Sequence, residues 1–225
     1  MTTDRETDRF ETSAGEVEIM FLGHGSLLFT FGGKRLYVDP FSRVADFETL
    51  PRANAVLITH EHRDHLDEEA LEHITDDATQ IVCTKRCAEK LGRGLVMENG
   101  ESRQVLGLPV TAVPAYNVEH CRETGDPFHP RGHGNGYVLA FGDLTVYVAG
   151  DTENVQEVKE LEGIDIAFLP MNLPYTMTPE MVADVAVAIA PAVLYPYHYG
   201  STDVSELAKL LADRKDIDVR IRSLA

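Results

Sequence analysis

Short apolar runs bounded by Gly, Pro, Asp or Asn recur along this chain, and in its second half they alternate with amphipathic segments. Runs rich in β-branched and aromatic residues predict strands, whereas apolar residues at helical spacing predict helices. The predicted strands are Glu16–Leu22, Leu27–Phe31, Arg35–Val38, Ala55–Thr59, Gln80–Thr84, Arg103–Val113, Gly136–Phe141, Leu144–Ala149, Ile164–Leu169, Ala192–Tyr197 and Asp218–Ile221. The predicted helices are Asp67–Ile74, Arg86–Leu91, Asn154–Leu161, Pro179–Ile189 and Ser205–Leu211.

The order of these elements, strand-rich segments followed by β/α units, predicts two sheets with helices outside them. Gly32-Gly33 and Gly142-Asp143 are typical hairpin turns, and Thr178-Pro179 is a helix start with Pro in the first turn. The sequence contains no repeat and no linker composition, so we expect a single domain over residues 1–225. The polar residues 1–12 are expected to form a flexible leader.

The densest chemistry lies in Thr59-His60-Glu61-His62-Arg63-Asp64-His65, directly after the apolar run Ala55–Ile58. His60 and His62, two positions apart, point to the same side of an extended chain. Asp64 and His65 turn to an adjacent face as the next helix begins. Ionisable groups crowded in this way are costly unless a cation holds them. Two pairs of donors favour two adjacent metal ions over one structural ion.

Two further candidate ligands end predicted strands, which is where α/β sheets place their sites. Asp151 follows Leu144–Ala149, and a carboxylate there can bridge two cations through its two oxygens. Its alternative role is a helix N-cap, for which Asp is favoured. His198 follows Ala192–Tyr197 and precedes Gly200.

These motifs, in their order along the chain, resemble the metallo-β-lactamase superfamily, in particular the branch that contains ascorbate-6-phosphate lactonase. Besides the H-x-H-x-D-H run, the similar segments are Gly23–Ser26, Val38–Phe41, Tyr147–Thr152, Tyr175–Met177 and Tyr195–Gly200. The resemblance implies an α/β fold, the αββα four-layer sandwich, and a metal-dependent hydrolase.

One stretch departs from the pattern of that family, which usually has Ala-x-His where this chain has Ala115-Tyr116-Asn117. An amide oxygen is a weaker ligand than imidazole and suits harder metals. The following loop offers four replacement donors: His120, Cys121, His129 and His133. We favour His129, because the prolines on either side of its Phe128-His129 pair stiffen the loop, and keep Asn117 as the alternative ligand.

These candidates suggest a site for two ions, in which each ion has three donors of its own and both share one bridging carboxylate. The first ion takes His60, His62 and His129 or Asn117; the second takes Asp64, His65 and His198; Asp151 bridges. Asp64 is also the catalytic candidate, since it could orient the nucleophile. In the family, residues at the positions of Asp39 and His24 support the ligands. Zinc is the default ion for His/Asp donors, and manganese or iron would also suit.

Two cations about 3.5–4 Å apart can produce hydroxide near neutral pH, which attacks a carbonyl or phosphoryl centre. We therefore expect hydrolysis of a small ester, lactone or phosphoester. Tyr116, Arg131 and Tyr175 are candidate substrate contacts, with Arg131 a possible clamp for phosphate or carboxylate. The alternatives are a phosphodiesterase or nuclease, and a non-enzymatic metal-binding module.

Composition narrows these classes. The 225 residues carry 37 acidic against 20 basic side chains, a net charge of −17. This balance disfavours nucleic acid as a partner, because phosphate binding needs Lys/Arg clusters, and it resembles adaptation to a high-salt cytoplasm. No apolar stretch is long enough to span a bilayer, and the polar N-terminus is no secretion signal, so we expect a cytoplasmic protein with a small-molecule substrate.

Overall fold

Two seven-stranded sheets form the centre of the computed structural model, which describes residues 5–225. The N-sheet contains, in order across the sheet, β1 (Thr7–Thr12), β2 (Gly15–Gly23), β3 (Ser26–Phe31), β4 (Lys34–Val38), β5 (Ala55–Leu57), β6 (Gln80–Cys83) and β7 (Leu95–Val96). The C-sheet contains, in reverse order across the sheet, β8 (Ser102–Val105), β9 (Leu108–Ala115), β10 (Gly134–Phe141), β11 (Leu144–Val148), β12 (Ile166–Pro170), β13 (Val193–Tyr197) and β14 (Asp218–Val219).

Each sheet is half antiparallel and half parallel. Strands β1 to β4 pair as antiparallel neighbours, and β4 to β7 pair in parallel. The C-sheet repeats this arrangement, with β8 to β11 antiparallel and β11 to β14 parallel. The parallel strands therefore end at one edge of each sheet, and the polar residues that follow them are brought to that edge.

Helices cover the outer face of each sheet, as expected of the αββα four-layer sandwich. The helices are α1 (Glu68–Ile74), α2 (Lys85–Leu91), α3 (Gln156–Lys159), α4 (Pro179–Ile189) and α5 (Val204–Leu210). Apolar residues of α1 and α2 pack on the N-sheet, and those of α3, α4 and α5 pack on the C-sheet. In the core between the sheets, Phe29 of the N-sheet stacks on Phe141 of the C-sheet. Phe168 stacks there on Tyr195 of the neighbouring strand of the C-sheet.

Helix α4 begins and ends where its sequence pattern predicts. The Thr178 side chain accepts a hydrogen bond from the backbone of Met181, and Pro179 occupies the first turn. The predicted single strand Arg103–Val113 is wrong, since it is the hairpin β8–β9. The chain reverses at Leu106-Gly107, where both residues have positive φ angles of 55° and 78°.

The expected flexible leader is also wrong where the structure describes it. Residues 1–4 lie outside the described part, but Thr7–Thr12 forms β1 and pairs with β2. Asp8 on β1 accepts hydrogen bonds from Arg220, Arg222 and Tyr195. Side chains from the last part of the chain therefore hold β1 in place.

The helices described within residues 5–225 include none with both the length and the apolar character needed to cross a membrane.

Candidate metal centre

Loops at one edge of the two sheets bring the candidate ligands together. His60, His62, Asp64 and His65 follow β5 of the N-sheet. From the C-sheet come three more: His129 from the β9–β10 connection, Asp151 after β11 and His198 after β13. Strand ends thus supply six of the seven predicted ligands, and one long connection supplies the other.

The first cluster, called group A, consists of His60, His62 and His129. Nδ1 of His62 lies 3.1 Å from Nε2 of His60 and 3.2 Å from Nε2 of His129. Asp151 Oδ2 lies 3.2 Å from the same His129 nitrogen and 3.9 Å from that of His60. Donor atoms at these separations can share one small cation.

The second cluster, called group B, consists of Asp64, His65 and His198, with His24 beside it. Nε2 of His65 and Nε2 of His198 are 3.1 Å apart, and Asp64 Oδ2 lies 3.4 Å from the His198 nitrogen. His24 Nε2 lies 3.0 Å from Asp64 Oδ2. The imidazole of His24 therefore contacts the carboxylate of Asp64 directly.

Asp151 faces both groups, with one oxygen toward each. Its Oδ1 atom lies 3.5 Å from His65 Nε2 and 3.7 Å from His198 Nε2, while Oδ2 faces His129. Within residues 5–225, Oδ1 is buried and has no hydrogen-bond partner. A buried unpaired carboxylate oxygen is costly, and a cation at group B would satisfy it. The N-cap alternative is wrong, because α3 begins only at Gln156 after Val155.

Hydrogen bonds at the far ring nitrogens orient the imidazoles of both groups. Asp39 Oδ2 lies 2.7 Å from His65 Nδ1 and also accepts the Thr59 hydroxyl at 2.6 Å. Because that hydroxyl donates to Asp39, its oxygen is left to accept from His60 Nδ1, 3.0 Å away. In the neutral form that could bind a cation, both rings would then carry their proton on Nδ1 and present the Nε2 lone pair to the cluster.

His129, rather than Asn117, reaches group A. The Asn117 amide oxygen lies 2.6 Å from His129 Nδ1 and also accepts from the His129 backbone N–H at 2.8 Å. Its oxygen is therefore occupied in holding His129. Of the other loop donors, His120, Cys121 and His133 belong to none of the metal-capable clusters of residues 5–225.

Glu153 anchors this arrangement and is not apparent from the sequence. Its side chain is 1 % exposed, and Oε1 accepts from the Asn117 amide at 2.7 Å. It also accepts from the backbone N–H groups of Val118, Glu119 and His120 at 2.6–2.8 Å. Burial alone would raise the pKa of Glu153, but these hydrogen bonds lower it. Its position after Gly-Asp-Thr is the one sequence signal.

Backbone strain concentrates at the centre. His24, Asp39 and His198 have positive φ angles of 53°, 43° and 47°. Such angles are uncommon for residues other than Gly and cost of order 1 kcal/mol or more each. The surrounding hydrogen bonds hold these three side chains in directions that a relaxed backbone would not give.

The protonation of the cluster matches a cation-binding role. Burial lowers the pKa of His60, and neighbouring His65 lowers it further. Burial would also lower the pKa of His65, but Asp151 and Asp39 raise it well above its usual value. The pKa of Asp151 is held well below its usual range by His198 and His65 against the effect of burial. A proton on His65 therefore neutralises charge that a metal would neutralise instead.

A cavity of about 440 Å³ opens beside both groups. The four lining residues that sequence reasoning missed are Arg63, Arg122, Phe128 and Asn172. Of the three predicted substrate contacts, Tyr175 lines the cavity, whereas Tyr116 and Arg131 do not. Arg131 pairs with Glu157, which also accepts the Tyr116 hydroxyl, so neither Tyr116 nor Arg131 lies in the wall.

The description "Beta-lactamase superfamily domain" belongs to the family model that matches residues 18–198. The chain belongs to the metallo-β-lactamase superfamily. A superfamily relative from Koribacter versatilis, described as a metal-dependent hydrolase, is 33 % identical over 87 % of this chain and 91 % of its own length. A relative from Thermococcus onnurineus with the same description is 30 % identical over 89 % of this chain and 95 % of its own length.

A crystal structure of a superfamily member from Parabacteroides distasonis, provisionally assigned as a metal-dependent hydrolase, superposes on 98 % of this chain. The TM-score is 0.93, the sequence identity is 46 %, and all of the other chain is covered. The correspondence therefore covers nearly the whole of this chain and all of the other.

Proposed function

We propose that this superfamily member is a hydrolase with two divalent ions, acting on a small ester, lactone or phosphoester. The observation that carries the proposal is the position of Asp151. One of its oxygens faces group A, and the other, buried and without a hydrogen bond among residues 5–225, faces group B. The relatives described as metal-dependent hydrolases support the same class.

His60, His62 and His129 would hold one ion, Asp64, His65 and His198 the other, and Asp151 both. Zinc fits this donor set, and manganese or iron would also suit. Such a pair of ions supplies an activated water and a Lewis acid at neutral pH.

The chain supplies orientation. Asp64 stands at the open side of group B, 37 % of its side chain exposed, and His24 fixes its Oδ2. It would therefore orient an attacking water. Tyr175, which is exposed in the cavity wall, would contact the substrate.

The cavity and the charge favour a small molecule over nucleic acid. A volume of about 440 Å³ admits a compact metabolite. A net charge of −17 opposes a polyanionic ligand. We extend the proposal to a cytoplasmic location in a high-salt cell, on the composition alone.

Metal content, measured by elemental mass spectrometry on protein purified without chelators, tests the centre. We expect two ions per chain in the wild type and one in both His129→Ala and His198→Ala. His73→Ala is the matched control, because His73 lies on α1 beside Glu48 and should keep two. One ion in the wild type would overturn the dinuclear proposal. The reaction itself is tested separately, with a panel of chromogenic esters, lactones and phosphodiesters.

A further inference from the structure

The cavity beside the candidate centre has a cationic wall in a strongly acidic protein. Arg63 and Arg122 both line it. The carboxylates among its lining residues, Asp64 and Asp151, are both assigned above to the ligand set. With those two committed to cations, the charge left for a bound molecule to meet is positive.

Arg63 has no ion-pair or hydrogen-bond partner of its own among residues 5–225. Acidic side chains outnumber basic ones 37 to 20, and several other arginines form ion pairs, such as Arg9 with Glu18 and Arg86 with Glu61, although Arg43 likewise has none among residues 5–225. Arg63 lies between His62 and Asp64, at the centre of the ligand segment. A guanidinium left free at that position, with all its donors available, is suited to bind an anion.

Arg122 lines the same cavity from the connection between β9 and β10. Its guanidinium lies over the Phe128 ring, 5.1 Å from the centroid, and one N–H reaches the Phe128 carbonyl at 3.3 Å. Phe128 in turn meets Tyr175 edge to face, with ring centroids 5.0 Å apart. The Phe128 ring limits the movement of the Arg122 side chain. Further N–H donors of its guanidinium have no partner among residues 5–225.

We propose that Arg63 and Arg122 bind an anionic group of the substrate, a carboxylate or phosphate remote from the bond that is cleaved. The substrate class is then a small ester or lactone that carries such an anion, with an apolar part against Phe128 and Tyr175. This inference rests on the proposed function. Two local arginines also offset the repulsion of an anionic substrate by the net charge of the chain.

Binding of a weakly metal-coordinating anion tests the site without any reaction. Calorimetry on the metal-loaded protein compares benzenesulfonate with neutral methyl phenyl sulfone. We expect the wild type to bind the sulfonate at least about tenfold more tightly, from charge-assisted hydrogen bonds. The double variant Arg63→Gln/Arg122→Gln should lose that preference. Arg131→Gln should keep it, because Arg131 pairs with Glu157 outside the cavity.

Selectivity in hydrolysis gives the second test. The ratio of kcat/KM for mono-4-nitrophenyl adipate to that for 4-nitrophenyl hexanoate isolates the remote carboxylate. We expect this ratio to fall about tenfold for each arginine replaced, and to stay unchanged in Arg131→Gln.

The two proposals fail separately. Hydrolysis of both esters with no anion preference, in the wild type as in the double variant, would overturn the anion site and leave the hydrolase. Arginine-dependent sulfonate binding with no hydrolysis of any ester would support the anion site and overturn ester hydrolysis.

Discussion

The Nδ1 atom of His129 lies 2.6 Å from the amide oxygen of Asn117, and the amide nitrogen of the same Asn117 donates to Glu153 at 2.7 Å. Asn117, at the position where the resemblance implies a histidine, therefore supports His129, which we propose as the ligand instead. A neutral amide transmits the orientation set by a buried carboxylate, and Nε2 of His129 is left directed at group A.

Asn117→Ala removes that support, and we expect it to lower zinc affinity about 10- to 100-fold at one of the two proposed sites. Competition with a chelator measures both affinities. Asn154→Ala is the matched control, since that amide bonds only Asp184 at the surface among residues 5–225. Two affinities equal to those of the wild type would show that Asn117 does not position His129.

Glu153→Gln places an amide NH₂ among backbone N–H donors in a buried position. Because hydrogen bonds to a charged acceptor are lost there, we expect the free energy of unfolding to fall by about 2–3 kcal/mol. Denaturant titration of the metal-free protein measures it. Glu157→Gln, at a partly exposed surface pair with Arg131, should cost no more than about 1 kcal/mol. Equal costs for both variants would contradict the anchoring role of Glu153.

Asp8→Asn tests the attachment of β1. Burial would raise the pKa of Asp8, but hydrogen bonds from Tyr195 and Arg222 outweigh it and lower the pKa from 3.8. A lowered folded pKa means that this carboxylate stabilises the fold above the unfolded pKa and stops doing so as pH falls through the folded value. We expect a cost of about 1 kcal/mol at pH 7, discounted for solvent screening.

Urea titrations from neutral pH to below 3.8 follow this difference. The gap between wild type and Asp8→Asn should be constant near neutrality and should close on acidification. Asp77→Asn, an exposed residue after α1, serves as the control with no gap at any pH. A gap that persists in acid would rule out the Asp8 carboxylate as its source.

Salt should stabilise this protein. With a net charge of −17, self-repulsion is screened as the Debye length falls from about 10 Å at 0.1 M to about 3 Å at 1 M. We expect the free energy of unfolding to rise by about 1 kcal/mol or more over that range of KCl. A Tm that is flat or falls with KCl would favour an ordinary acidic protein instead.

The elements with complete local signals are predictable from the sequence. Helix α4 has a capping Thr178, Pro179 in its first turn and apolar residues at helical spacing, so its bounds coincide with the prediction. Strand β1 has no such signal. It holds one aromatic residue among polar ones, and its attachment depends on Arg220 and Arg222, more than 200 positions away. No local pattern can contain that information.

The candidate site divides in the same way. Donors at strand ends, such as His60 and Asp151, follow from the sheet edge that the strands define. The directions of loop side chains do not. Arg131 turns to Glu157 on α3, whereas Arg122 stacks on Phe128 and lines the cavity. Which arginine faces a substrate is decided by contacts between segments, and composition treats the two alike.

Each sheet is built from an uninterrupted half of the chain, β1 to β7 and then β8 to β14. Each donor group draws on both halves, with His60 and His62 opposite His129 in one and His65 opposite His198 in the other. A cation bound by either group would therefore link the two halves of the chain. If the short connection between β7 and β8 were cut, each fragment would hold only part of each donor group. Metal binding would then require that the two fragments associate.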